Sequence, residues 1–325
     1  MTKLFVTLGP SSLNEEMVTR MSDKVDLFRI NLSHTDIPDI EPTIKKIQKW
    51  TDVPICIDSE GAQLRNGKMS FIKMLYPEHV FKVHFDDIIG DYDNISFNPP
   101  GIVKHFQIGD VINVDDDGVK FKIIDVEDDH CLALVISSGV IGSNKASDVN
   151  RELPFESITN KDKEAIKIGR VHGVENFALS FANKKEDVQE MRELCGKSNI
   201  ICKIESKMGV KNLNDILGET DEILIDRGDL SRQVPIQKIP MYQRNIIKEA
   251  NEKNIPVSVA TNLLESMTVK SSPTRAEVND VVSTLLMGAD GLVLAAETAI
   301  GQYPYESVEM IQSLIKEVEI YNGQT

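Results

Sequence analysis

Two short stretches of this chain have residue types and spacing that could do chemistry: Lys203-Ile204-Glu205 and, further on, Arg227-Gly228-Asp229. Each closes an apolar run, Ile200-Ile201-Cys202 before the first and Ile223-Leu224-Ile225 before the second. Two carboxylates and an ammonium at the ends of neighbouring buried strands are costly unless something binds between them. A divalent cation shared by Glu205 and Asp229, with Lys203 facing an anionic ligand, resolves that cost. Such a centre suits phosphoryl or enolate chemistry. The plain alternative is a structural ion-pair network.

The elements that must position these groups follow from the pattern of apolar runs. Continuous apolar runs without polar alternation predict parallel strands covered on both faces, over 3–8, 25–30, 54–58, 177–181, 200–204, 222–226, 256–260 and 291–295. Helical periodicity fills the gaps, over 14–21, 38–50, 161–172, 185–195, 209–217, 240–253, 274–287 and 305–320. Eight βα units predict an α/β fold, a (β/α)8 TIM barrel, with a flavodoxin-like open sheet as the alternative. From about 66 to 152 the rhythm changes to short alternating strands and turns, among them an Asp115-Asp116-Asp117-Gly118 corner. This predicts a small all-β domain inserted after the third strand, with the barrel formed by 1–65 and 153–325. An insertion rooted in a barrel-mouth loop makes a plausible lid.

Ligand-binding residues belong at the C-terminal ends of barrel strands. Those ends collect Arg29, Asn31 and Ser33; Asp58, Ser59 and Arg65; Ser180 and Phe181; Lys203 and Glu205; Arg227 and Asp229; Thr261; and Glu297.

Composition narrows the partners. With 51 acidic against 36 basic residues and a formal charge of −15, the 325-residue chain is a poor match for nucleic acid or an anionic membrane. Cys56, Cys131, Cys195 and Cys202 are scattered, with no CxxC pair, and read as reduced thiols. No apolar run approaches membrane-spanning length, and no signal peptide opens the chain, so a cytoplasmic protein is expected.

The same residues resemble the pyruvate kinase family. Arg29-Ile30-Asn31-Leu32-Ser33-His34 is similar to its second-strand motif, and Asp58 through Arg65 to its DTKGPEIR segment. Ile201 through Glu205 resembles the stretch around its catalytic lysine. Arg227 through Leu230, Ala260 through Met267 and Pro273 through Glu277 follow in the family's order and spacing. Val111 through Gly118 and Ile141 through Lys145 resemble parts of its lid.

The resemblance implies transfer of a phosphoryl group from phosphoenolpyruvate to ADP. It implies Lys203, Arg29 and Thr261 as catalytic residues, with Gly228 and Asp229 also at the substrate. It implies Mg2+ (or Mn2+) on Glu205 and Asp229, and K+ on Asn31, Ser33, Asp58 and Ser59. Arg65, His34 and Lys145 would meet the nucleotide; no Walker A sequence is present. The family's usual C-terminal domain has no counterpart in this sequence, so a homodimer through the barrel is expected.

Several positions depart from the family pattern. Ala295 stands where it has a serine suspected of helping deliver a proton to the enolate. Asp226 replaces a small residue and adds negative charge near the metal. Glu60 takes the place of a lysine, and Thr35, Ser231 and Gln233 also differ. Two other functions therefore compete: a metal-dependent lyase or decarboxylase acting through a pyruvate enolate without nucleotide, and a non-catalytic phosphometabolite-binding paralogue. Locally, Asp58, Ser59, Asn31 and Ser33 could serve only as turn or cap residues, and Thr261 as a buried hydroxyl.

Overall fold

The computed structural model describes residues 2–61, 63–115, 118–151 and 153–323. Two compact units emerge, 1–61 with 157–325, and 62–156.

In the first unit eight parallel strands close on themselves in sequence order: β1 (Lys3–Thr7), β2 (Leu27–Asn31), β3 (Ile55–Asp58), β4 (Asn176–Leu179), β5 (Asn199–Ile204), β6 (Glu222–Asp226), β7 (Val257–Ala260) and β8 (Gly291–Leu294). The last closes the ring by pairing with the first, Lys3 beside Gly291 and Val6 beside Leu294. This is the expected TIM barrel, not an open sheet. Helices cover its outer face, and their apolar stripes form one large core with the outward-facing strand residues, among them Leu4, Phe28, Ile57, Phe177, Ile204, Ile225 and Leu292.

Side chains on a strand alternate between faces with period two. The inward-facing set inside the barrel is Phe5, Leu27, Cys56, Ala178, Ile201, Leu224, Ala260 and Val293, an apolar plug with one residue from each strand. Two residues further along six of these strands come Thr7, Arg29, Asp58, Ser180, Lys203 and Asp226. Parity thus places a polar layer directly on top of the plug. Below it, Glu222 is buried beside the Ser258 hydroxyl at 3.0 Å and the Lys3 ammonium at 3.5 Å.

One helix differs from expectation. The stretch 209–217 forms two short helices, Lys207–Lys211 and Leu213–Ile216. Asn212 breaks them, its side-chain amide donating to the Asn183 carbonyl at 2.7 Å.

The second unit carries a six-stranded sheet in the order Ser147–Val149, Val111–Val114, Lys120–Val126, His130–Ser137, Val80–His84, Asn94–Ile95. Its own core includes Phe81, Phe97, Phe121 and Ile112, with Leu64, Leu153 and Phe155 packed on it. Those last three explain why the unit is a few residues wider at each end than 66–152. Asp116 and Asp117 of the acidic corner lie outside the described residues.

Candidate active site

The polar layer is built around the Lys203 ammonium. Its Nζ lies 3.2 Å from Ser180 Oγ and 3.2 Å from Glu205 Oε2. It also lies 3.6 Å from Asp58 Oδ2 and 3.6 Å from Asp226 Oδ2. Burial opposes its charge, but Asp58, Glu205 and Asp226 outweigh that and hold the amine firmly protonated.

Arg29, on β2, occupies the neighbouring position. Its Nε donates to Thr7 Oγ1 at 2.9 Å and its Nη1 to Asp58 Oδ2 at 2.8 Å. Thr7 is fixed in turn, donating to the Leu294 carbonyl at 2.9 Å. Asp58 is therefore shared by both buried cations, and both are held from below by strand residues.

Glu205 is fully buried. Its Oε1 accepts the Phe181 N–H at 2.7 Å, whereas among the described residues Oε2 has no hydrogen-bond partner. The short distance from Oε2 to Lys203 is thus an ion contact out of line for a hydrogen bond. Burial, then the nearby charges of Asp229, Asp226 and Asp58, push the carboxyl up to about 8 against the pull of Lys203. One carboxylate oxygen from each of Glu205, Asp226 and Asp229 lies within 4.8 Å of the other two. A buried oxygen with no donor, inside a set of hard oxygen ligands, fits a divalent cation of the Mg2+ or Mn2+ kind.

Asp226 ends β6 and begins the helix Arg227–Gln233. Its Oδ1 accepts the Gly228 N–H at 3.2 Å and the Thr261 hydroxyl at 2.7 Å. Burial raises its proton affinity, but Lys203 and these donors more than offset that, leaving it lowered. Thr261 sits in the left-handed region at φ 74°. Its carbonyl accepts from Arg227 at Nε (3.0 Å) and Nη2 (2.6 Å). Gly228 is required here by close approach, since a Cβ would sit 2.9 Å from Thr261 Cγ2. Asp229 lies on the same helix, with Arg232 Nη1 at 3.7 Å.

Other expected residues occupy the rim. Asn31 Oδ1 accepts the Ser33 N–H at 2.9 Å, capping the 3-10 turn Leu32–His34, and His34 is exposed. The Ser59 hydroxyl accepts the Ser180 N–H at 2.8 Å, and Ser180 Oγ donates to the Ser59 carbonyl at 2.7 Å. Arg227 turns away from the mouth and pairs with Asp280 at 2.6 Å. Glu297 is buried and accepts the backbone N–H groups of Leu264 (3.1 Å) and Ala295 (3.0 Å), which makes it a scaffold for these loops. Arg65 and Lys145 belong to the second unit and share one edge of it. Arg65 donates to the Asn144 carbonyl at 3.1 Å and to Gln63 at 2.9 Å, and Lys145 pairs with Asp115 at 2.7 Å.

Two residues carry more of the site than sequence reasoning assigned them. Asp226 appeared there only as added negative charge, and Thr7 not at all. Parity along β6 and β1 was the available signal, because each stands two residues after an inward apolar side chain.

Fold and site together define a TIM-barrel enzyme with an acidic, lysine-bearing mouth built for an anionic ligand and a cation. The model of the pyruvate kinase barrel domain matches residues 1–308. A pyruvate kinase of Thermotoga maritima is 37% identical over 98% of this chain and 71% of that protein. One of Thermococcus litoralis is 34% identical over 98% of the chain and 70% of its own length. One of Clostridium acetobutylicum is 32% identical, again over 98% and 70%. The chain belongs to the pyruvate kinase family, and it is a phosphotransferase of that metal-dependent family. Among the described residues no helix is long and apolar enough to cross a membrane.

Proposed function

We infer that this protein transfers the phosphoryl group of phosphoenolpyruvate to ADP, giving pyruvate and ATP, at the mouth around Lys203. The observation that carries this reading is one buried ammonium seated between Ser180, Glu205, Asp58 and Asp226, with the Arg29 guanidinium sharing Asp58. Phosphoryl transfer needs charge neutralisation and alignment more than covalent help. Lys203 offsets charge on the moving group and on the enolate oxygen; being locked among carboxylates, it cannot drift from that position. Arg29 presents a planar fork to the phosphate, already oriented by Thr7 and Asp58. Thr261 places a hydroxyl near the enolate, and Gly228 leaves the backbone room beside it.

A divalent cation, Mg2+ or Mn2+, bound by Glu205 and Asp229 supplies Lewis-acid neutralisation of substrate oxygens. The oxygens of Asn31, Ser33, Asp58 and Ser59 are the proposed ligands of K+. His34 in the barrel unit is one proposed nucleotide contact; Arg65 and Lys145 are the ones proposed within the second unit. A homodimer through the barrel, in the cytoplasm, completes the proposal; light scattering that returned a monomer would remove the dimer.

The test is a coupled pyruvate assay with ADP, GDP or no nucleotide, with and without K+ and Mg2+. Pyruvate formation should require nucleotide and divalent metal. Turnover of oxaloacetate or a 4-hydroxy-2-oxo acid without nucleotide, with none of phosphoenolpyruvate, would replace this reading with a lyase.

A further inference from the structure

Asp226 is a carboxylate that the family pattern does not supply, and we propose that it is a third protein ligand of the divalent cation. The proposal rests on the reading that Glu205 and Asp229 hold that ion, and it deepens that reading for this chain.

Three observations converge on Asp226. One of its carboxylate oxygens lies within 4.8 Å of one from Glu205 and one from Asp229, and the buried Glu205 Oε2 has no hydrogen-bond donor among the described residues. Its two oxygens also divide the work. Oδ1 takes both the Thr261 hydroxyl and the Gly228 N–H, while among the described residues Oδ2 meets only the Lys203 ammonium, at 3.6 Å and beyond hydrogen-bonding reach. The charges then fail to balance. Asp58, Glu205, Asp226 and Asp229 outnumber the cations paired with them, Arg29, Lys203 and Arg232, leaving a formal negative surplus that a cation offsets.

The capping role of Asp226 does not by itself require a charge. Asparagine caps a helix as well as aspartate does. What the carboxylate adds is negative charge next to an ion site, and the number of ligand charges sets how tightly a hard cation is held. With three carboxylates in place, this chain should hold its divalent ion before any substrate arrives.

The experiment is a Mn2+ titration of the free ion's EPR signal, without phosphoenolpyruvate or nucleotide, on the unmodified protein, Asp226→Asn and Asp229→Asn. Thermal melts in EDTA and in Mn2+ accompany it. Asp226→Asn should weaken Mn2+ binding roughly tenfold or more, shrink the Mn2+-induced rise in Tm, and leave the EDTA melt in place. Mn2+ affinity within about twofold of the unmodified protein, while Asp229→Asn loses the ion, would overturn the third ligand and leave Glu205 and Asp229 standing. Loss of binding in neither variant, or no pyruvate from the unmodified protein, would strike the underlying reading instead. If Asp226→Asn melts far lower in EDTA, and Asp226→Ser (also a capping residue) does the same, the carboxylate is structural and the proposal falls.

Discussion

The Thr261 hydroxyl donates to Asp226 Oδ1 at 2.7 Å, joining the end of β6 to the loop that follows β7. Thr261 is held from its other side by Arg227, whose guanidinium grips its carbonyl. A residue at φ 74° is thereby fixed between two neighbours on one helix.

That clamp leaves no space beside Gly228. Gly228→Ala would bring a Cβ to 2.9 Å from Thr261 Cγ2, so the threonine must move. We expect pyruvate formation to fall at least about tenfold, at a stability cost of roughly 1–3 kcal/mol. Steady-state kinetics beside a thermal melt check it; full activity would mean that Thr261 need not be placed so tightly.

Lys203→Met should abolish nearly all turnover, by roughly a thousandfold or more. It also strands Asp58, Glu205 and Asp226 without their ammonium. In EDTA the variant should lose about 3–5 kcal/mol of stability, and Mn2+ should restore part of it. Denaturant melts with and without the ion measure both effects.

Arg29→Lys keeps the charge but not the fork that spans Thr7 and Asp58. We expect kcat/KM for phosphoenolpyruvate to drop on the order of a hundredfold with the fold intact. An unchanged value would move the phosphate grip elsewhere.

Away from the mouth, Glu277 closes a capping box on the helix Arg275–Leu286 and also accepts the Ser266 N–H at 2.7 Å and hydroxyl at 2.6 Å. Burial works against its charge, but the Ser266 and Thr274 donors outweigh that and lower its pKa from 4.5. A depressed carboxyl contributes stability above its unfolded pKa and loses it as pH falls through the folded value. Glu277→Gln should therefore cost about 1 kcal/mol near neutral pH, with the gap narrowing in acid. Paired melts across pH follow this directly.

The four cysteines should be inert in the native protein. Burial pushes Cys131 up to about 11, Cys195 and Cys202 up to about 12, and Cys56 higher still. Iodoacetamide should label them slowly at pH 7–8 and rapidly once guanidinium unfolds the chain. Fast native labelling would contradict the packed barrel.

Most of the barrel could be read from the chain because buried parallel strands leave continuous apolar runs. The ends of β5 and β6 stood out because charge follows such a run only at a site or a turn. Direction was harder to read. Arg227 and Asp226 are neighbours of opposite charge, yet only the aspartate faces inward, and two-residue alternation decides this, not residue type. Thr7 was hidden for a similar reason: its role is to orient Arg29, a contact between strands that no local motif encodes. Asn212 split one expected helix by reaching the carbonyl of a distant asparagine. The hydroxyl of Ser59 illustrates the remaining difficulty, since a residue fit for ion binding also satisfies a backbone N–H.

The seam between β1 and β8 has a consequence for how the protein is made. Residues 3–7 emerge from a ribosome long before their lateral partners at 291–294. Until then seven strands wait with two raw edges, those of β1 and β7, since an unclosed sheet offers unpaired N–H and C=O groups to any passing strand. Thr7, which steadies Arg29, takes its own anchor from the Leu294 carbonyl. Competence for phosphate capture should therefore arrive abruptly, only once 291–294 have been made, and chaperone demand should peak just before it.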